Sequence, residues 1–254
     1  MSKLIDRTGE EFITEEGYEI VIIKYNNAQD VLVKFKDKNK AIVHTKYCHC
    51  RSGKVKNPYH PSVYGVGYIG LGKYKAYDNN KQTETYIDWT SILNRGFDEK
   101  VKKKHPTYKD VTVNQECYCF QDFAKWREQN YYEIEGEQMC LDKDILYKGN
   151  KEYSFNTMVY VPQRINKLFV KCDATRGKYP IGVSYRKDKN SYETHCSTLE
   201  GRKFLGYYNT PDEAFQAYKE FKEAYIKEVA DEYKGRIPDK LYDAMYRWEV
   251  EIDD

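Results

Sequence analysis

The 254 residues predict an α+β fold: a small N-terminal β module, a central ββα core with supporting helices, and a C-terminal three-stranded sheet packed on a long helix. Three observations carry this prediction. Apolar residues alternate with a period of two over residues 18–43, recur at helical spacing over 86–97 and 120–130, and alternate again over 181–207 before one long helical stripe.

Taken in order, Tyr18-Glu19-Ile20-Val21-Ile22-Ile23, Val31-Leu32-Val33-Lys34-Phe35 and Ala41-Ile42-Val43 read as strands, with Asn26-Asn27 and Lys38-Asn39 as turns. The basic stretch 51–58 follows, then a Gly-rich segment over 64–75. Spaced glycines can cradle phosphates, but no Walker pattern is present. Lys54, Lys56, Lys73 and Lys75 fit a linker that tracks a nucleic-acid backbone about as well as a plain solvated one. Tyr86, Trp89, Ile92, Leu93 and Phe97 mark a core helix, and Lys102-Lys103-Lys104-His105 reads as a solvated loop. Val111 to Val113 reads as a short strand, and Phe120 to Asn130 as a helix with Phe123 and Trp126 inward.

Residues 139–169 order themselves as strand, polar loop, strand and short helix. Met139 to Leu141 form the first strand, Asp142-Lys143-Asp144 opens the loop, Thr157 to Val161 form the second strand, and Pro162 opens the helix. Such a ββα unit holds a divalent cation if its carboxylates and amides converge, because hard cations take oxygen ligands. Otherwise it is a surface hairpin with solvated charges.

The last third reads as strands over 181–186, 192–197 and 203–207, turned at Lys189-Asn190 and Glu200-Gly201. Thr210-Pro211-Asp212-Glu213 carries a capping box, and Phe215, Tyr218, Tyr225 and Val229 form the inner stripe of the helix that follows. Gly235 ends that helix, and a second one begins at Pro238 with Leu241, Ala244, Met245 and Trp248 on one face, which packs on the preceding helix. Three modules are expected: 1–80, 81–170 and 171–254.

Composition sets limits on function. No apolar run approaches the ~18 residues that span a bilayer, and residues 1–10 show no signal-peptide pattern, so a soluble intracellular protein without a membrane partner is expected. Seven cysteines, an odd number, suit a reducing compartment. Cys48-His49-Cys50 and Cys117-Tyr118-Cys119 are spaced too tightly for the usual zinc pair, so free, mostly buried thiols are expected and no structural zinc. The 26 tyrosines serve either cores or base stacking. Net charge is +2, but residues 1–80 carry 13 basic and 9 acidic side chains and residues 171–210 carry 8 and 4, whereas residues 211–254 carry 7 and 13. The basic excess is local, which suffices for phosphate contacts.

The 139–169 run resembles the core of phage-type HNH homing endonucleases. In that resemblance Asp142 matches the acidic metal ligand, Asn156 the middle Asn and Asn166 the helical ligand. Lys143 falls where the general-base His would be, and an ammonium accepts no proton near neutral pH unless burial lowers its pKa by several units. If the site cleaves DNA, the resemblance implies that Asp142 and Asn166 hold magnesium or a similar ion. Asp144 then supplements them or acts as base, Asn156 orients the loop, and Lys143 stabilises charge on the phosphate. The β module with its GKYK segment, and Trp89, Arg95, Tyr108, Phe120, Phe123 and Trp126, extend the resemblance. Gly96, Asn114, Cys117 and Met158 depart from it where Cys or Trp is expected.

Residues 181–218 resemble the APETALA-type (ethylene-response-factor) DNA-binding domain, through Gly182-Val183, Phe204-Leu205-Gly206 and Glu213-Ala214-x-x-Ala217-Tyr218. This implies double-stranded DNA as partner, met by Ser184, Arg186, His195, Ser197, Arg202 and Phe204, with Arg186 and Arg202 keeping the arginine that grips guanine or phosphate. Together the resemblances cover nearly the whole chain. They imply a phage or mobile-element DNA-binding protein in the cytoplasm of a bacterial host, a candidate HNH-like endonuclease that would cleave phosphodiesters with a divalent metal if its site is active without the general-base His. The alternative is a catalytically inactive, nuclease-derived binding protein, such as a phage inhibitor whose partner is a host nucleic-acid-directed defence protein or nuclease.

Overall fold

Strict alternation in the N-terminal strands turns Ile20, Ile22, Val31, Val33 and Phe35 to one side, where all are almost completely buried. The structure is a computed structural model and describes residues 5–170 and 178–252. It is an α+β protein whose chain divides into two compact units, residues 1–129 and 130–254. The division falls within the expected 81–170 module.

In the first unit, β1 (Glu11–Ile13), β2 (Glu19–Asn27), β3 (Asp30–Phe35) and β4 (Ile42–Thr45) form an antiparallel meander in chain order. Helix α1 (Tyr47–Arg51) contributes buried Cys50 to its core. A short hairpin of β5 (Tyr77–Asp78) and β6 (Lys81–Gln82) leads into α2 (Glu84–Phe97), where the Thr83 hydroxyl accepts the Tyr86 N–H as a cap. Trp89 on α2 is fully buried and donates its indole N–H to the Cys117 carbonyl at 2.8 Å. The lysine run expected as a loop is helical: α3 (Glu99–Lys104) is capped by the Asp98 carboxylate and ends on its lysines, the arrangement a helix dipole favours. The remaining elements are β7 (Thr112–Val113) and α4 (Phe120–Asn130).

The Gly-rich segment is neither a free linker nor a phosphate cradle. A Cβ on Gly67 would stand 2.5 Å from Leu93 Cδ1, and one on Gly72 would stand against the Gln121 amide. Gln121 clamps the segment by donating Nε2–H to the Tyr74 carbonyl and accepting the Tyr74 N–H. Gly67, Gly70 and Gly72 let backbone lie directly on side chains of α2 and α4.

The second unit holds β8 (Met139–Asp142), β9 (Glu152–Tyr153), β10 (Val159–Pro162) and α5 (Gln163–Asn166). It continues with β11 (Val183–Arg186), β12 (Ser191–Thr198), β13 (Gly201–Tyr208), α6 (Pro211–Glu232) and α7 (Asp239–Tyr246). Strands β8 and β10 pair antiparallel, and β11, β12 and β13 form a sheet in chain order. The capping box at Thr210 and Glu213 is present. Val159, Val161, Ile165 and Leu168 share one core with Ile226, Val229, Ala230 and Tyr233 of the long-helix segment and with Leu241 and Met245 of α7. Helix α6 therefore buries two faces, one against the three-stranded sheet and one against the ββα elements. All six described cysteines are free, five of them buried or half-buried; Cys172 lies outside the described residues.

Candidate nucleic-acid interface

Asp142 ends β8 opposite Val159 of β10, where the chain must turn into the loop. Its Oδ1 accepts the N–H groups of Asp144 and Ile145, each at 2.8 Å, so the carboxylate shapes the turn from within. Burial, reinforced by the neighbouring Asp144 charge, pushes the Asp142 carboxyl up to about 6. Lys143 is buried, and its ammonium donates to Asp144 Oδ2 at 3.1 Å and to the Asn150 carbonyl at 3.2 Å, with the Tyr153 ring 5.8 Å away. Asn150 closes the loop by donating to the carbonyls of Lys143 and Glu152, both at 2.7 Å. The sequence reading passed over Asn150; its signal was the Gly149-Asn150 turn pair.

The structure thus brings Asp142, Lys143 and Asp144 together around Asn150. Asn156 stands exposed in the turn before β10, and Asn166 is half-buried at the end of α5, which packs against β8 and β10. As arranged, two of the oxygens a divalent cation would need are already engaged within the loop. The cation that Asp144 meets is the Lys143 ammonium, and one Asp142 oxygen is committed to backbone N–H groups. Among the described residues no cluster of three His, Cys, Asp or Glu side chains is placed to hold a metal.

The three-stranded sheet is built differently. Thr194 and Cys196 are fully buried toward α6, and Gly182 lies against Tyr218 of that helix, where a Cβ would come within 2.3 Å of the ring. Directly paired residues share a face. The register pairs Ser184 with Glu193, Arg186 with Ser191, His195 with Phe204 and Ser197 with Arg202. All six residues expected at DNA therefore stand on the sheet face opposite α6.

That face has a chemistry of its own. Phe204 and Tyr207 are exposed with ring centroids 5.0 Å apart, His195 lies 5.3 Å from Phe204, and the Lys189 ammonium sits 3.8 Å over the Tyr207 ring. Arg186 Nε lies 3.2 Å from Asp188 and 3.3 Å from Glu193, and His195 Nε2 lies 3.1 Å from the same Glu193. Arg186 is thus partly neutralised within the chain. Arg202 is exposed and makes no ion pair among the described residues. Burial, and next the Arg202 charge, lower the His195 pKa, so the imidazole is neutral at pH 7.

Tyr207, Lys189 and Glu193 were not anticipated. Glu193 follows from alternation with His195, but Tyr207 does not. The pairing shifts at Thr194/His195, where β13 inserts Leu205 as a bulge and thereby brings Tyr207 onto the Phe204 face.

Comparison with known proteins returns no matching family model, no matching curated protein and no matching solved structure. Among the described residues no helix is long and apolar enough to cross a membrane.

Proposed function

We propose that this chain is a duplex-DNA-binding protein of HNH homing-endonuclease descent, from a phage or mobile element and acting in the bacterial cytoplasm. It engages DNA through the outer face of the β11-β12-β13 sheet. The observation that carries the reading is the convergence of Ser184, Arg186, His195, Ser197, Arg202 and Phe204 on the one sheet face that α6 leaves uncovered. Arginine and aromatic groups on one open sheet supply phosphate contacts and ring contacts together. The test is duplex binding across a salt series. The double variant Arg186→Ala, Arg202→Ala should weaken binding and flatten the dependence on salt, and an unchanged salt slope would sink the sheet as the reader.

A second reading is favoured by one specific observation, the ion pair of the buried Lys143 with Asp144. On that reading the ββα stretch is scaffold without phosphodiester chemistry, and the protein works by binding alone, with a host nucleic-acid-directed defence protein as its partner. Supercoiled DNA incubated with magnesium or manganese decides between them. Nicking that is lost in Asp142→Asn supports cleavage, and intact supercoil with every divalent ion supports the binding protein.

A further inference from the structure

A cavity of about 960 Å³ lies in the second unit at the edge of β12. The Gly182 carbonyl accepts the His195 N–H, and beyond that point β11 no longer covers β12. The described lining carries five basic side chains, Lys167, Lys178, His195, Arg202 and Lys222, and no carboxylate. Its apolar wall includes Phe169, Tyr218 and Trp248.

Two polar groups at this cavity lack protein partners. Lys222 on α6 is only 8 % exposed, yet makes no hydrogen bond or ion pair among the described residues. Burial lowers its pKa, with the Cys196 thiol the one ionisable neighbour that acts on it. His195 Nδ1 is buried without a hydrogen-bond partner, while Nε2 faces Glu193. Neutral, this ring presents a lone pair at Nδ1; protonated against Glu193, it presents an N–H. A lysine buried along its stem whose ammonium meets no protein acceptor, beside a buried imidazole nitrogen without a partner, points to an anionic partner in the cavity.

We infer that the cavity binds a nucleoside monophosphate, either free or as the 5′ end of a DNA strand, with the phosphate taken by Lys222 and the base held against the aromatic wall. An inorganic anion alone would leave most of the space unfilled, and the volume lies in the range of small-ligand pockets. The phosphate, a dianion with several acceptor oxygens, suits a ring of amines and a guanidinium better than a single carboxylate does. Ser184, His195, Ser197 and Arg202 of the outer sheet face border the cavity, so it adjoins the surface proposed for duplex DNA.

The test is isothermal titration of the full chain with AMP, GMP, CMP and TMP, beside the corresponding nucleosides. At least one monophosphate should bind with a Kd in the micromolar range, about tenfold or more tighter than its nucleoside. Lys222→Met keeps the buried stem and removes the charge. It should weaken monophosphate binding about tenfold or more while the melting temperature stays level or rises, because an unpaired buried cation has been removed. A purely structural lysine would give the opposite pattern, a lower melting temperature with no binding to lose. Failure of all four monophosphates to bind by about 1 mM, or equal binding by the Lys222→Met variant, overturns the inference. Hairpin DNAs with 5′-phosphate and 5′-hydroxyl ends separate the two sources. Preference for the phosphorylated end assigns the DNA terminus, and monophosphate binding without that preference assigns the free nucleotide. Closed circular duplex has no 5′ end, so its binding reads the sheet face independently.

Discussion

The Lys143 ammonium donates to Asp144 Oδ2 at 3.1 Å from a side chain that is 10 % exposed. A cation there is held by the loop's own acceptors, the Asp144 carboxylate and the Asn150 carbonyl. Charge that a metal site would need free is satisfied within the fold.

Asp142 offers the sharpest test of that loop. Asp142→Ala removes the acceptor for two backbone N–H groups and should cost about 1–3 kcal/mol in urea unfolding. Asp142→Asn keeps an acceptor oxygen and should cost much less. The two variants also separate a structural effect from a catalytic one in the nicking assay.

The same residue predicts a pH dependence. Its folded pKa, about 6, lies above the ordinary 3.8, so between these values the folded chain holds a proton that the unfolded chain has released. This stabilisation is fully present below about pH 4 and is lost as pH rises through about 6, on the order of 2–3 kcal/mol. Stability measured from pH 4 to 8 should show Asp142→Asn gaining on the native protein as pH rises. Parallel curves would show that Asp142 is not held protonated.

Glu193 predicts a gain rather than a loss. It lies against both Arg186 and His195 on the outer sheet face. Glu193→Gln should tighten duplex binding and steepen its salt dependence, whereas Arg202→Ala should weaken it and lower the salt slope by about one unit for one lost phosphate contact. Arg186→Ala alone should do less than Arg202→Ala, because Arg186 is already paired with Asp188. Anisotropy titrations on one duplex at three salt concentrations would order the variants.

Two glycines predict losses of stability. Gly182→Ala brings a Cβ within 2.3 Å of the Tyr218 ring at a residue with φ of +77°, and Gly67→Ala brings one within 2.5 Å of Leu93 and 2.9 Å of Trp89. Each should cost about 1–3 kcal/mol by overpacking, with added backbone strain at Gly182. Thermal melts check the magnitudes, and Trp89 emission reports repacking for Gly67→Ala.

The alternating runs at Ile20-Val21-Ile22 and Val31-Leu32-Val33, the helical stripe from Tyr86 to Phe97, and the Thr210 capping box were all legible as linear patterns. Each depends on neighbours only a few residues away, and local sterics and hydrogen bonds act at that range. Lys102 to Lys104 misled because a charge run says nothing of the Asp98 carboxylate that caps it into a helix. The six sheet residues came as a set from the resemblance, strand alternation holds them on one face, and Tyr207 was missed because one inserted residue, Leu205, reverses that alternation.

What the sequence determined by itself is therefore the succession of elements, the α+β class and the identity of the residues that share a strand face. Only the tertiary structure decided that Lys143 is buried against Asp144 and Asn150, that Arg186 is partly neutralised by Asp188 and Glu193, and that the Lys222 ammonium meets no protein acceptor at the cavity it lines. The reason is physical. The state of a charge depends on how far surrounding atoms exclude water and on which acceptors lie within about 3 Å, and those neighbours are brought together by folding from distant parts of the chain.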